Sequence, residues 1–152
     1  MTPSRRALIA LVPLLVATSI VRQAPAAEPI NAPGGLAIRG YDVVAYFTLG
    51  KATRGEAEFA VPFEGVTFRF VSAAHRAQFT SEPTRYLPAY GGYSAFGVAA
   101  GRLVPGDPEL FAIVDGRLFL NAARDMHVQW QRDPARYIAA ADEKWPALKS
   151  RF

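Results

Sequence analysis

Residues 58–87 read EFAVPFEGVTFRFVSAAHRAQFTSEPTRYL, and residues 109–138 repeat the pattern as ELFAIVDGRLFLNAARDMHVQWQRDPARYI. The two stretches align without a gap at a shift of 51 residues. The aligned identities include a turn glycine, a strand phenylalanine and a helix start: Gly65 with Gly116, Phe68 with Phe119, and Pro83-x-Arg85-Tyr86 with Pro134-x-Arg136-Tyr137. The repeat covers approximately residues 40–88 and 92–139. Two copies are too few for a solenoid, so we predict two similar halves within one domain.

The composition also indicates one folded domain. The chain has 152 residues, of which 51% are hydrophobic, and this length leaves room for a single domain with a substantial core. It contains no cysteine. Thiolate catalysis, cysteine-ligated zinc and iron–sulfur clusters are therefore excluded.

The first 27 residues have the pattern of an export signal peptide. Arg5 and Arg6 precede an apolar run at 7–21, and small residues follow at 24–27 (APAA). Residues 4–9 (SRRALI) also resemble the twin-arginine export motif. A membrane anchor is the alternative, but the run is shorter than the roughly 20 apolar residues of a spanning helix, and Pro13 interrupts it. We therefore expect a periplasmic or secreted protein.

Without residues 1–27 the net charge is close to zero. Arg5, Arg6 and Arg22 leave with that segment, so 17 − 3 = 14 basic residues face 13 acidic ones. A chain so evenly charged has no electrostatic footprint for nucleic acid. We expect neither a nucleic-acid partner nor membrane contact after the signal is removed.

The mature chain divides into a short leader at 28–35, a domain at 36–148 and a tail at 149–152. In the first half the pattern predicts, in order, a strand at 43–47, strands at 59–63 and 66–70, a helix from 73 to about 80 capped by Ser72, and a short helix from Pro83 that Pro88 ends. In the second half it predicts a strand in the glycine-rich joint at 90–101 and strands at 110–114 and 117–120. It also predicts a helix capped by Asn121 that ends near 131, and a last helix that Asp133 caps, Pro134 starts and Pro146 ends. The predicted fold class is α+β, with two similar β-hairpin–helix–helix halves around a mostly antiparallel sheet.

Several of these stretches carry a family resemblance. They are GYDVVAYF at 40–47, the F-x-F-x-S segment at 68–79, EPTRYLPAYGGYSAF at 82–96, VDGRLFLN at 114–121, Trp130, and Ala141-Asp142 with Trp145-Pro146. Together they cover nearly all of residues 36–148, and they resemble the YHS-domain family in its exported, single-domain form. Several members of that family are suspected of binding metal through cysteine, so the resemblance implies a metal-binding role wherever the cysteines are present.

The chain departs from the family pattern at its cysteines. Metal-type YHS domains resemble Y-x-F-C-S-x-x-C-x-x-x-F, and here Val71 and His75 occupy the two cysteine positions. Exported relatives usually read GGYCA at the joint, where this chain has Ser94. A soft-metal site of the family type is therefore disabled in this cysteine-less variant.

The best candidates for a ligand-facing patch are tyrosines near glycines, together with one carboxylate and one hydroxyl: Tyr41, Asp42, Tyr46, Tyr90, Tyr93 and Ser94. Polar-tipped aromatic residues around a carboxylate suit a small polar ligand or a loop of a partner protein. The alternative is structural, with Asp42 capping a turn and the tyrosines packing with their hydroxyls outward.

A metal site is a second hypothesis. His75 has Met126 as its equivalent in the repeat, and His127 follows directly. Histidine and methionine are suitable copper ligands in an oxidising compartment. In the structural alternative, the histidine near a helix start is solvated and the methionine fills core. No other cofactor is expected.

Catalysis has little support from motifs. The chain has no phosphate loop, Rossmann fingerprint or HExxH sequence. Ser94 could be imagined as the nucleophile of a hydrolase, but it lies in GYSAF and not in a G-x-S-x-G elbow. We therefore predict a non-catalytic exported binding domain with an unknown ligand or partner, and copper binding through His75, Met126 and His127 as the alternative.

Overall fold

The computed structural model describes residues 28–152, so the predicted signal peptide at 1–27 lies outside it. The first half consists of α1 (Ala45–Thr48), β1 (Glu56–Phe63), β2 (Val66–Phe70), α2 (Ala73–Ser81) and α3 (Pro83–Tyr86). The second half consists of α4 (Ala95–Ala99), β3 (Asp107–Val114), β4 (Arg117–Asn121), α5 (Arg124–Arg132) and α6 (Pro134–Lys149). Short 3-10 turns at Pro33–Gly35, Ala37–Gly40 and Ala89–Gly92 precede or join them. The predicted α+β fold with two similar halves is confirmed.

The two hairpins have the same strand pairing, including a register shift at equivalent positions. β1 pairs antiparallel with β2, and β3 pairs antiparallel with β4. The register shifts between Glu56 and Ala60 in the first hairpin and between Asp107 and Phe111 in the second, which are equivalent positions at a shift of 51. The antiparallel strands therefore form two separate two-stranded sheets rather than one continuous sheet.

The strand β4 belongs to both halves of the core. Its Leu118 and Leu120 lie in the cluster of buried residues around Phe68, and its Phe119 lies in a second cluster with Trp130. All three β4 residues are fully buried. Because successive side chains of a strand point to opposite faces, β4 forms a wall with one cluster on each side.

Two predicted strands are short helices instead. The prediction of a strand at 43–47 was wrong because the Asp42 carboxylate accepts the N–H groups of Val44 and Ala45, which fixes a helical turn at the start of α1. The prediction of a strand at 90–101 was wrong for a similar reason, since Ser94 Oγ accepts the N–H of Gly97 and caps α4. A short apolar run is equally compatible with a buried helical turn and a strand.

The helix ends were predicted with mixed success. Ser72 caps α2 and Asp133 caps α6, as expected. Asn121 does not cap α5, because α5 begins at Arg124 and the Asn121 Oδ1 accepts the N–H of Phe96 in α4. Pro146 does not end α6, which continues to Lys149. Burial of the side chain of Leu148 beyond the proline offsets the cost of the missing backbone hydrogen bond.

Within residues 28–152, no helix is both long and apolar enough to cross a membrane.

Candidate functional site

A cleft of about 350 Å³ opens beside the glycine-rich joint, between the leader, α3 and α6. Its wall is mainly apolar and aromatic, formed by Ile30, Leu87, Pro88, Ala89, Tyr90, Gly91, Trp145 and Pro146. Four polar residues complete the lining: Glu28, Thr84, Arg117 and Asp142. A mostly apolar wall with a few polar groups is the usual composition of a small-molecule site.

The charged groups of the cleft neutralise one another at its Arg117 side. The Arg117 guanidinium donates two hydrogen bonds to the Asp142 carboxylate, at 3.0 and 2.9 Å. The Tyr90 hydroxyl donates to the same carboxylate at 2.8 Å. These hydrogen bonds, that of Arg117 first, lower the pKa of Asp142, while burial and the bond to Asp142 raise the pKa of Tyr90. The tyrosine therefore stays protonated and the aspartate ionised.

The leader forms the other wall of the cleft and is hydrogen-bonded to α6. Glu28 accepts hydrogen bonds from Trp145 Nε1, at 2.9 Å, and from Lys149 Nζ. Burial raises the pKa of Glu28, but these two donors outweigh it, so the pKa is lowered. Farther along, the Asn31 N–H donates to Gly91 O at 2.8 Å. Both carboxylates in the cleft thus have a cationic partner.

Gly91 lies where the leader backbone crosses the glycine-rich joint, and a glycine is required there. Its φ is +61°, and a β-carbon at this position would lie 1.7 Å from the Pro29 carbonyl oxygen. The leader backbone consequently passes over the joint at a distance that only glycine permits.

A second polar centre is buried in the first half. Asp42 is fully buried, and its Oδ1 accepts from Val44 N at 2.8 Å and Ala45 N at 3.1 Å. Its Oδ2 accepts from Val71 N at 2.9 Å and lies 2.7 Å from His75 Nδ1. Four hydrogen-bond partners therefore surround one carboxylate and fix its position.

In the second half, two residues share the capping of the short helix that Asp42 provides alone in the first half. At a shift of 52, Ser94 is the equivalent of Asp42, but its hydroxyl accepts only the N–H of Gly97. The N–H of Phe96 is accepted instead by Asn121 Oδ1 at 3.0 Å. Asn121 is fully buried. The repeat has thus replaced one carboxylate with a hydroxyl and an amide.

The Nδ1 atoms of the two histidines consequently have opposite hydrogen-bonding roles. Asn121 Oδ1 is already occupied, so its Nδ2 is the atom 3.1 Å from His127 Nδ1, and that ring nitrogen is an acceptor. His75 Nδ1, in contrast, donates to a carboxylate. Burial and the nearby Arg124 lower the pKa of His127, which keeps this imidazole neutral.

A pH-dependent stability follows from His127. We expect His127→Gln to lose less stability than the wild type when the pH falls from about 7.5 to about 5.5. In the wild type the unfolded chain binds a proton at this histidine more readily than the folded chain does, so stability is present above the unfolded pKa and is lost as the pH falls toward the folded pKa. Urea unfolding at the two pH values measures the difference, and equal losses in both proteins would contradict it.

The predicted ligand residues are mostly inside the protein. Tyr41, Asp42, Tyr46 and Ser94 are all less than a tenth exposed, and Tyr93 is half-buried. The Tyr41 hydroxyl donates to Glu109 Oε1 and the Tyr46 hydroxyl to Pro108 O, both at 2.9 Å. Of the six residues predicted to face a ligand, Tyr90 is the one that lines the cleft. A buried Ser94 hydroxyl that caps a helix is also out of reach of a substrate.

The two histidines among the predicted metal ligands belong to separate hydrogen-bonded pairs. His75 is bonded to Asp42, and His127 is bonded to Asn121 and stacks on Trp130. Met126 is half-buried. Within residues 28–152, no group of three or more His, Cys, Asp and Glu side chains could hold a metal ion.

Sequence reasoning missed the charged residues of the cleft. Arg117 and Asp142 are 25 positions apart, and nothing in their spacing indicates an ion pair. Asp142 and Trp145 were noted within the stretches that resemble the family. The available signal was Asp142 three residues before Trp145, which places the two on neighbouring turns of one helix.

Comparisons of the chain with protein-family models, with curated proteins and with solved structures find no match. The function is therefore inferred from the arrangement of the chain's own residues.

Proposed function

We propose that this chain is an exported binding domain of the YHS type, and that the cleft beside the glycine-rich joint holds its ligand without transforming it. The observation that carries the proposal is a concave, largely apolar wall in which the charged groups are already paired. Export rests on the pattern of residues 1–27, and the family rests on the stretches that resemble it between 36 and 148.

The chemistry of the cleft favours a small, neutral, mostly apolar ligand. Its volume of about 350 Å³ falls at the lower end of the usual range for small-molecule sites. Tyr90 and Trp145 offer aromatic surface, and both carboxylates of the wall are neutralised by Arg117 and Lys149. A charged ligand would have to break one of these ion pairs, whereas an apolar ring would only displace water.

The neutral fluorescent probe N-phenyl-1-naphthylamine tests the cleft directly. We expect its emission to rise on binding to the wild type. Thr84→Trp places a large side chain at an exposed position of the wall, and we expect it to weaken binding at least tenfold, equivalent to about 1.4 kcal/mol. Titration of the probe at constant protein concentration measures both affinities.

The matched control is Gln131→Trp, which adds the same side chain at an exposed position of α5 outside the cleft. We expect it to bind the probe as the wild type does. The proposal fails if the wild type does not bind the probe, or if the two tryptophan variants bind it equally well.

A further inference from the structure

The polar centre around Asp42 is separate from the cleft. All four partners of the Asp42 carboxylate are donors, three backbone N–H groups and His75 Nδ1. Because three backbone N–H groups already donate to this carboxylate, the neutral imidazole tautomer that adds a fourth hydrogen bond carries its proton on Nδ1 and leaves Nε2 as an acceptor.

His75 Nε2 faces a hydroxyl that is open to solvent. Thr48 Oγ1 lies 3.2 Å from Nε2, and the Thr48 residue is exposed at the end of α1. The same oxygen lies 3.1 Å from Val44 O, so its one proton can turn to either acceptor. The His75 side chain is 12% exposed, which leaves the imidazole mostly desolvated while the hydroxyl remains accessible.

Of the two equivalent halves, only the first has a histidine whose Nε2 is left as an acceptor. In the second half Asn121 donates to His127 Nδ1, so the neutral ring of His127 carries its proton on Nε2. His127 cannot accept a proton through Nε2, whereas His75 can. A buried carboxylate, an imidazole and a hydroxyl are therefore aligned once in the described chain, at Asp42, His75 and Thr48.

We propose that Thr48 is an acyl-accepting nucleophile, with His75 as its general base and Asp42 as the residue that positions the imidazole. The arrangement follows the logic of serine and threonine nucleophiles that are activated by an adjacent base. The exposed side chain of Leu49, next to Thr48, provides apolar surface for the acyl group. The substrate class is an activated carboxylic ester.

The acyl transfer to Thr48 and its hydrolysis require no cofactor. Thr48 Oγ1 forms a bond with the ester carbonyl carbon, and its proton passes to His75 Nε2. The bond from that carbon to the leaving oxygen breaks, and the leaving oxygen takes the proton from His75. Attack by water on the acyl-threonine, with the proton again passing through His75, regenerates Thr48 and releases the carboxylic acid.

The test uses p-nitrophenyl acetate and the folded full chain. Thr80 provides an internal control, because it is also an exposed helical threonine whose hydroxyl donates to the carbonyl four residues earlier, at 2.8 Å, but no imidazole is hydrogen-bonded to it. We expect Thr48 to be acetylated about 100-fold faster than Thr80, which is the lower end of a general-base contribution. Mass spectrometry of the digested protein measures both sites, and hydroxylamine sensitivity identifies the ester.

Variants separate a reacting group from a structural one. Thr48→Ser is expected to retain fast acetylation, and Thr48→Val to abolish it. His75→Gln is expected to slow Thr48 to the rate of Thr80, while His127→Gln leaves it unchanged. Equal rates at Thr48 and Thr80 in the wild type, or an unchanged Thr48 rate in His75→Gln, would overturn the proposal without affecting the cleft.

Discussion

Replacing Asp42 with alanine is expected to lower the free energy of unfolding by about 4 kcal/mol. The substitution leaves three backbone N–H groups and His75 Nδ1 without their acceptor. These donors connect α1, the end of β2 and α2 through one carboxylate, so their loss affects three elements. Urea unfolding followed by far-UV circular dichroism measures the change.

Asp133→Ala is the matched control for Asp42→Ala. Asp133 is also an aspartate at the start of a helix, but it is exposed and accepts a single N–H, that of Arg136, at 3.2 Å. Its replacement is expected to cost about 1 kcal/mol. Similar losses in the two variants would mean that Asp42 is an ordinary helix cap and not a buried connection between elements.

The second large effect is expected at Gly91. Gly91→Ala should lower the free energy of unfolding by about 3 kcal/mol, because the added methyl group meets the Pro29 carbonyl and because φ is positive. The leader must move away, and the hydrogen bond from Asn31 N to Gly91 O is lost. We also expect weaker binding of N-phenyl-1-naphthylamine, since Glu28 and Ile30 leave the cleft wall.

Gly116→Ala distinguishes backbone strain from collision. Gly116 has a φ of +74°, but a β-carbon there would have no heavy atom within 4 Å. Its replacement is expected to cost about 1 kcal/mol and to leave probe binding unchanged. If Gly91→Ala is no more damaging than Gly116→Ala, then the leader does not cross the joint as described.

The sequence predicted what depends on local pattern. The apolar pattern at 66–70 predicted β2, and Ser72 and Asp133 predicted two helix starts, because each of these signals lies within a few residues. The repeat added the prediction of two similar halves, which no single motif contains.

What the sequence could not predict depends on contacts between distant residues. The role of Asn121 in capping α4 requires β4 to lie beside Phe96, 25 positions earlier in the chain. The run at 43–47 reads as a strand by composition, and the Asp42 side chain that fixes the helical turn there is itself held by Val71 N and His75, 29 and 33 positions away. The cleft likewise requires the leader to return to α6, a contact that spans 117 positions from Glu28 to Trp145.

The two-sided burial of β4 has a consequence for proteolysis. The first half takes Leu118 and Leu120 of β4 into its own core, although these residues follow it in the chain. A protease cut in the connection between α4 and β3 would therefore not release a stable first half, because the fragment would lose those two side chains. The halves resemble each other as copies, but they are expected to melt in one cooperative transition.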